Sequence, residues 1–490
     1  MLSYIPRISK AQYLAGVVCR HRLVERMKAS RGVLLVALAL LAIAALRDFS
    51  RLGNALPWHQ LYDFADFYCA GAALDLRADP YRYEPLHRCE HAVNASAAYR
   101  NDPARIVPAP LPPYAFPPFM LLARFDFATA RAIDTAAIVL AVIASIAGLG
   151  LLVPVDVAAL ALILSAGYVL LNAGQVVPFS LVALVFCGVA LSQGRDGLAG
   201  VLAALVAVEP HLGLPVGVAL LLWVPRSRLG LIATGLALAG VAVLVVGLSG
   251  TVEFLGRVLP AQALAESGYV YQYSLTYALR ALGAGPVPAL IAGNASYVAM
   301  LVAGVAVSRP LARKLKRREL FAYLPAAFGV LAGAYVHMVD LSFAVPAALV
   351  LTFSLRGPWR QATALALCLL AVPWIPVWIA KKLFLASAFV VAALLVRLRA
   401  GVGFSLATFA AIVTCIYVLE LAPPAPLVAV TPATFAATDL AQRAWAAYVE
   451  RLPQASSTWL AVKLPSWIAL ALLLAACLGA LRNRRLSATP

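Results

Sequence analysis

The chain has 490 residues, of which 63% are hydrophobic and only 12% charged, with a mean hydropathy of +0.89. Soluble domains carry about a quarter charged residues, so this composition excludes a soluble protein and points to one embedded in a membrane. The net charge of +18 is dispersed in short basic clusters between apolar runs, a pattern of topology determinants rather than of a nucleic-acid-binding face.

Residues 1–32 hold Arg7, Lys10, Arg20, Arg22, Arg26, Lys28 and Arg31, which place the N-terminus in the cytoplasm with a first span beginning near Val33. No signal-peptide cleavage pattern follows, so this span is expected to stay. A long outer loop, about 48–127, comes next. Leu/Ala-rich runs without strand alternation then predict helices near 130–152, 156–172, 176–192, 198–210, 212–224 and 229–249, with Arg195, Arg226 and Arg228 in inner turns. A second outer loop, 250–285, precedes a span near 287–307 and the basic inner loop "RPLARKLKRRE". Further spans fit 320–336, 340–355, 361–379, 383–397 and 403–421, with Arg356, Arg360, Arg397 and Arg399 inside. After a third outer loop, 422–465, a last span near 466–481 leads into "RNRR" and a cytoplasmic tail, 482–490. The expectation is an all-α polytopic membrane protein, a single domain over 33–481 with about 14 spans. Lys381 and Lys382 fall on the outer side, against the positive-inside trend.

The seven cysteines show no metal-ligand spacing, and no metal or cofactor is expected. Cys187, Cys368, Cys415 and Cys477 lie in apolar runs and read as packing residues. One stretch breaks the composition: "QLYDFADFYCAGAALDLR", 60–77. A helical period puts Phe64, Phe67, Ala70 and Leu74 on one stripe and predicts a short helix lying at the outer membrane surface. Asp63 and Asp66, three apart, share a side of it. A carboxylate beside apolar groups has a raised pKa, which suits a general base; two solvated interfacial aspartates are the plain alternative. "ADPYRYEP" reads as a turn, and "PAPLPPYAFPPFMLL" as a stiff connector returning the chain to the membrane. Asn172, Gln175, Glu209 and His211 are polar residues within apolar runs, where function is the default reading.

The segments "DFADFYCAGAAL", "DPYRYEP", "PPYAFPPFMLL", "NAGQVVPFSLVALVF" and "RDGLAGVLAALVAVEPHLGLPV", in this order, resemble the polytopic glycosyltransferases of family 87, in the GT-C class. The likeness covers residues 60–225 clearly and the later spans in outline. It implies a GT-C-like fold and an inverting transferase moving a sugar, mannose or a similar hexose, from a polyprenyl-phosphate donor to a glycolipid or glycan acceptor. The site would face outward, on the periplasmic side of a bacterial inner membrane, with membrane lipid as a further partner and no nucleic acid. By this resemblance Asp63 deprotonates the acceptor hydroxyl, with Asp66 in reserve, and His337 of "YVHMVDLSF" binds the donor phosphate. Tyr68, Asp79, Tyr81, Gln175, Glu209 and His211 are expected to line the acceptor side of the cavity.

Lys381 and Lys382 are phosphate candidates through their outward position near the headgroups, with ordinary snorkelling as the competing account; Arg280 is a third. Two features depart from the family pattern. Glu209-Pro210 stands where the family has Lys-Pro, and the spacer before the proline-rich return is long and polar and holds Cys89. Cys69 and Cys89, both on the oxidising side, are expected to staple the loop. The rival function is a lipid-linked saccharide transporter or flippase, and a third is an assembly subunit without chemistry. Many spans and buried polar residues suit a transporter, but no internal repeat is found, and the crowding of aspartates and aromatics in an outer loop is left unexplained.

Overall fold

In lipid, every backbone N–H and C=O must be paired within its own segment, and a Leu/Ala/Val-rich chain achieves this as helix. The computed structural model accordingly contains helices and no strand among the residues it describes: 36–47, 63–93, 105–331, 333–380, 383–421, 436, 438–450 and 457–482. In chain order the helices are α1 (Val36–Arg47), α2 (Phe64–Asp75), α3 (Tyr83–Val93), α4 (Pro117–Leu122), α5 (Phe127–Gly150) and α6 (Val155–Leu162). A π segment (Ile163–Val169) joins α6 to α7 (Leu170–Ala173), followed by α8 (Val177–Ser192), α9 (Asp196–Leu205), α10 (Pro210–Trp223), α11 (Arg228–Glu253) and α12 (Leu259–Ala265). Next come α13 (Leu275–Ala281), α14 (Pro286–Leu315) and α15 (Leu320–Gly329). A 3-10 stretch (Met338–Ala344) leads into α16 (Val345–Ser354), α17 (Gly357–Leu370), α18 (Trp374–Ala380), α19 (Phe384–Arg397), α20 (Val402–Leu421), α21 (Ala441–Val449) and α22 (Ser457–Arg482).

Five apolar helical stretches are long enough to cross a bilayer, namely Phe127–Gly150, Pro225–Ala265, Pro286–Leu315, Val402–Leu419 and Thr458–Arg482. The protein is membrane-embedded; beside these five the described residues hold a set of shorter apolar helices, so the length for a full span is met by five stretches and not by each of the expected 14. Helix breaks account for the difference. Pro373 has no N–H to continue a ladder and divides the expected 361–379 span into α17 and α18. Glu209 takes an extended conformation (φ −106°, ψ 92°) and separates α9 from α10. Such breaks persist at membrane depth only where protein covers the exposed backbone. The expected 320–336 span likewise ends at Gly329, and all ten residues of α15 are buried.

The two ends of the bundle differ in chemistry. At one, the basic turns interlock: Arg317 donates to the Leu152 carbonyl (3.1 Å), Arg318 to Asp196 (2.8 Å), Lys314 to the Leu481 carbonyl (3.2 Å) and Arg360 to the Leu398 carbonyl (2.6 Å). At the other, three long connections meet. Arg82 donates to Asp79 (2.7 Å), to Glu253 at the end of α11 (2.8 Å) and to the Thr438 carbonyl (2.9 Å). Tyr83 N–H donates to the Asp439 carbonyl and Ala441 N–H to the Tyr81 carbonyl, both at 2.9 Å. The helix α11 brings Glu253 there along the lipid-facing outside of the bundle. Gly247 breaks it at φ 75°, a left-handed conformation open to glycine, and Thr251 Oγ1 donates to the Gly247 carbonyl (2.9 Å).

α2 corrects one expectation. The Phe64, Phe67, Ala70 and Leu74 stripe is buried, but so are Ala65, Asp66, Tyr68, Cys69, Gly71 and Ala73, so the helix is enclosed instead of lying on a surface. It packs so closely on α4 that a Cβ at Gly71 would stand 2.4 Å from the Phe119 backbone carbonyl. Cys69 and Cys89 form a disulfide (Cα–Cα 5.6 Å) that ties α2 to α3.

Gly71→Ala should therefore cost about 1–3 kcal/mol or more through overpacking. Gly235→Ala, where a Cβ meets nothing within 4 Å, should cost nothing. Thermal unfolding of both purified variants in one detergent makes the comparison; equal midpoints would show that α2 has room to shift. Reducing Cys69–Cys89 should lower stability by about 3 kcal/mol, the loop-closure value for a separation of this size. Non-reducing peptide mapping must recover the two cysteines as one cross-linked fragment.

Candidate active site

Asp63 precedes α2 in the position where aspartate ordinarily caps a helix, yet its carboxylate makes no capping bond. It accepts a hydrogen bond from Gln175 Nε2 instead, while its backbone N–H donates to the Ala173 carbonyl (2.9 Å). Gln175 is available because α7 ends at Gly174, in the left-handed region at φ 70°, and α8 begins only at Val177. Burial pushes the Asp63 carboxyl up to about 6; the Gln175 hydrogen bond, His337 and Arg105 oppose the rise, and Glu266 adds to it.

His337 and Glu266 come from separate connections that pair as a short antiparallel ladder. Tyr273 N–H donates to the Val336 carbonyl (2.5 Å) and Met338 N–H to the Tyr271 carbonyl (2.9 Å), with Gln272 opposite His337. The Glu266 carboxylate is saturated. Oε1 accepts from Gln262 Nε2 (2.7 Å) and Trp445 Nε1 (3.0 Å), and Oε2 accepts from Gln272 Nε2 (2.9 Å) and contacts His337 Nε2 at 2.5 Å. Burial works to raise the Glu266 carboxyl, but His337 and the bonds from His337, Gln272 and Tyr335 bring it below its ordinary value. Burial works against the His337 cation as well, and Glu266, Asp340 and Asp63 outweigh it, so the imidazole is pushed up to about 9.

Two further groups extend the cluster. Asp340 Oδ2 accepts from the His337 backbone N–H (2.7 Å) and faces His211 Nε2 at 3.1 Å, and His211 Nδ1 stands 3.8 Å from Glu209. Aromatic rings wall the region: Tyr335 lies 4.8 Å from the His337 ring, Tyr269 lies 6.3 Å from it, and Trp445 is 5.3 Å from Tyr269. Arg105 donates to the Tyr448 hydroxyl (2.8 Å) and is close enough to act on the charge of Asp63.

The structure thus gathers Asp63, Gln175, His337, His211 and Glu209. Other expected site residues are placed elsewhere. Tyr68 donates to the Phe125 carbonyl (2.9 Å) and Tyr81 to the Leu111 carbonyl (2.9 Å), while Asp79 accepts from Tyr81 N–H (2.9 Å) and Arg82. These three build the loop cluster. Arg280 donates to the Ala284 carbonyl (3.0 Å) at the end of its own helix. Asp66 is buried within α2, and Lys381 and Lys382 lie outside the described residues. Sequence reasoning missed Glu266, Asp340, Arg105, Tyr269, Tyr335 and Trp445. The signal for Glu266 was present in "AESGYVYQY", where a carboxylate sits among tyrosines as Asp63 does; Asp340 stands three residues beyond His337, on the next turn.

No protein-family model matches the chain, and neither curated proteins nor solved structures include a similar one.

Replacing Glu266 by Gln should return His337 toward the ordinary imidazole value near 6.5. Reaction of imidazoles with diethyl pyrocarbonate, followed by peptide mass spectrometry against pH, reads this directly, because only the neutral ring reacts. A raised histidine contributes stability that is complete below about 6.5 and is lost as pH climbs through about 9, so the wild-type thermal midpoint should fall across that window. Glu266→Gln should flatten the fall, and a midpoint that rises with pH there would contradict the pairing.

Proposed function

We propose that this protein is an inverting, polyprenyl-phosphate-sugar-dependent hexosyltransferase acting on a glycolipid or glycan acceptor at the outer membrane face, with Asp63 as general base. The observation that carries the reading is the Asp63 carboxylate, which forgoes its helix cap, is held by Gln175 and stands beside a histidine in an aromatic-walled cluster. A base for a sugar hydroxyl must be ionised at the working pH and still basic enough to take a proton; a value of about 6 meets both demands.

In this mechanism Asp63 accepts the hydroxyl proton as the acceptor oxygen bonds to the anomeric carbon. The bond from that carbon to the phosphate oxygen breaks, and its electron pair leaves with the phosphate. Attack opposite the leaving group inverts the configuration, and fixing both reactants in line supplies most of the entropy advantage. His337 lends positive charge to the departing phosphate, with Lys381 and Lys382 as the remaining candidates for that role. Tyr269 and Tyr335, half-buried beside His337, would offer ring faces to the C–H side of a pyranose, with Trp445 packed behind Tyr269. One observation favours a flippase instead: the Glu209, His211 and Asp340 chain leads from the cluster to the break between α9 and α10, and such chains serve as relays in transporters.

Purified protein in detergent, offered a synthetic short-chain polyprenyl-phosphate sugar and separately a nucleotide sugar, should transfer only from the first. Asp63→Asn should lower turnover by about 10²–10⁴-fold with an unchanged thermal midpoint. An inactive Asp66→Asn beside an active Asp63→Asn moves the base one turn along α2; activity in both removes it. The pH profile of kcat/KM should rise through about 6 as Asp63 ionises and fall through about 9 as His337 loses its proton.

A further inference from the structure

Lys463 lies on α22, within a helical stretch long enough to span the membrane, and is fully buried. Its Nζ donates to the Gln272 carbonyl (2.6 Å) and sits 3.0 Å from the centre of the Tyr277 ring and 5.5 Å from that of Tyr273. Its partners are therefore a carbonyl and aromatic faces, not a carboxylate. An apolar side chain would fill the same space without the cost of burying an amine in the protein interior, so packing alone does not account for a lysine here. Anchorage of the neighbouring residue is already provided, since Trp467, one turn along α22, donates to the Tyr273 carbonyl (3.0 Å).

What the amine adds lies one bond further on. Gln272, whose carbonyl it holds, uses both ends of its side chain at the candidate site: Nε2 donates to Glu266 (2.9 Å) and Oε1 accepts from Val336 N–H (3.0 Å). Val336 precedes His337, and Glu266 is the carboxylate on His337. We propose that Lys463 is a positioning residue: by fixing the Gln272 carbonyl it sets the register of 271–273 against 336–338 and so holds Glu266 on His337.

This rests on reading the Asp63 and His337 cluster as the functional site, but the relay can be tested on His337 itself, without a transfer assay. The groups facing His337 are Glu266 from the segment after α12, Asp63 from the start of α2, Asp340 on its own turn, Glu209 and His211 from the start of α10, and the rings of Tyr269 and Tyr335. The measurement is carbethoxylation of His337 against pH, read by peptide mass spectrometry on intact protein in detergent. Lys463→Met should move the midpoint of His337 reactivity down by about one pH unit or more. Gln272→Leu, which leaves the carbonyl under Lys463 in place but removes the amide relay, should do the same. The double variant should move it no further, because the two residues act in one chain. Lys463→Arg, which keeps a donor to the carbonyl, should stay within a few tenths of a unit of wild type. A role confined to packing would lower the thermal midpoint in Lys463→Met and leave the titration of His337 where it was, which would overturn the proposal. If Lys463→Met does not fold, Gln272→Leu decides: an unmoved midpoint there breaks the relay. If transfer from a polyprenyl-phosphate sugar fails while these shifts occur, the functional reading falls and the positioning role stands.

Discussion

A carboxylate is costly to bury next to apolar helices unless its oxygens accept hydrogen bonds, and Glu266 accepts them from donors drawn from three parts of the chain. Gln262 comes from α12, Gln272 and His337 from the two extended segments that pair at one bridge, and Trp445 from α21. Each would otherwise leave a polar group uncompensated, at about 1–3 kcal/mol apiece. The carboxylate therefore acts as a node: removing it leaves these donors turned inward, and moving any one of them disturbs the others. The aromatic rings around His337 inherit their positions from this node, since Tyr269 and Tyr335 flank it and Trp445 belongs to it.

The second constraint comes from the loop clamp around Arg82. A guanidinium with several donors can join acceptors that a single amine cannot, and Arg82 uses this to connect Asp79, Glu253 and the Thr438 carbonyl. The Cys69–Cys89 disulfide fixes α2 to the same cluster. Asp63 is consequently held at both ends, by α2 behind it and by the Ala173 carbonyl beside it. A carboxylate so restrained would meet an acceptor proton in one geometry, as the proposed general-base role requires and as a solvated interfacial aspartate would not.

Composition and helical period in the sequence made the membrane class, the all-helical fold and the position of most helices legible, because lipid leaves a backbone few choices. Span number was less legible. The hydropathy of 361–379 is continuous across Pro373, and only the missing amide reveals the break. The α2 reading failed for a related reason: a stripe of Phe64, Phe67, Ala70 and Leu74 identifies a buried face, but it does not show that a second apolar element, α4, covers Gly71 and Ala73 from another side. At the site, Asp63, Gln175 and His337 were visible as polar residues out of place. Trp445 and Lys463 were not, because each acquires meaning only from a partner more than 60 residues away, as in the Trp445–Glu266 and Lys463–Gln272 contacts. Asp79 and Tyr81 show the reverse error, in which a conspicuous motif builds the loop and leaves the chemistry to its neighbours.

The charge balance of the cluster bears on what ligand it suits. Four carboxylates, Asp63, Glu209, Glu266 and Asp340, gather about two imidazoles, with Arg105 near Asp63. Glu266 and Asp340 are committed to His337 and His211, so the charge they carry is largely matched within the protein. What remains is the His337 cation on one side and the Asp63 carboxylate, held by Gln175, on the other. This separation suits the two reactants of the proposed transfer: the acceptor's hydroxyl would approach Asp63 and the donor's phosphate would approach His337. A ligand bearing two anionic groups would place one of them against Asp63, where the same burial that keeps this carboxylate basic makes like-charge contact costly.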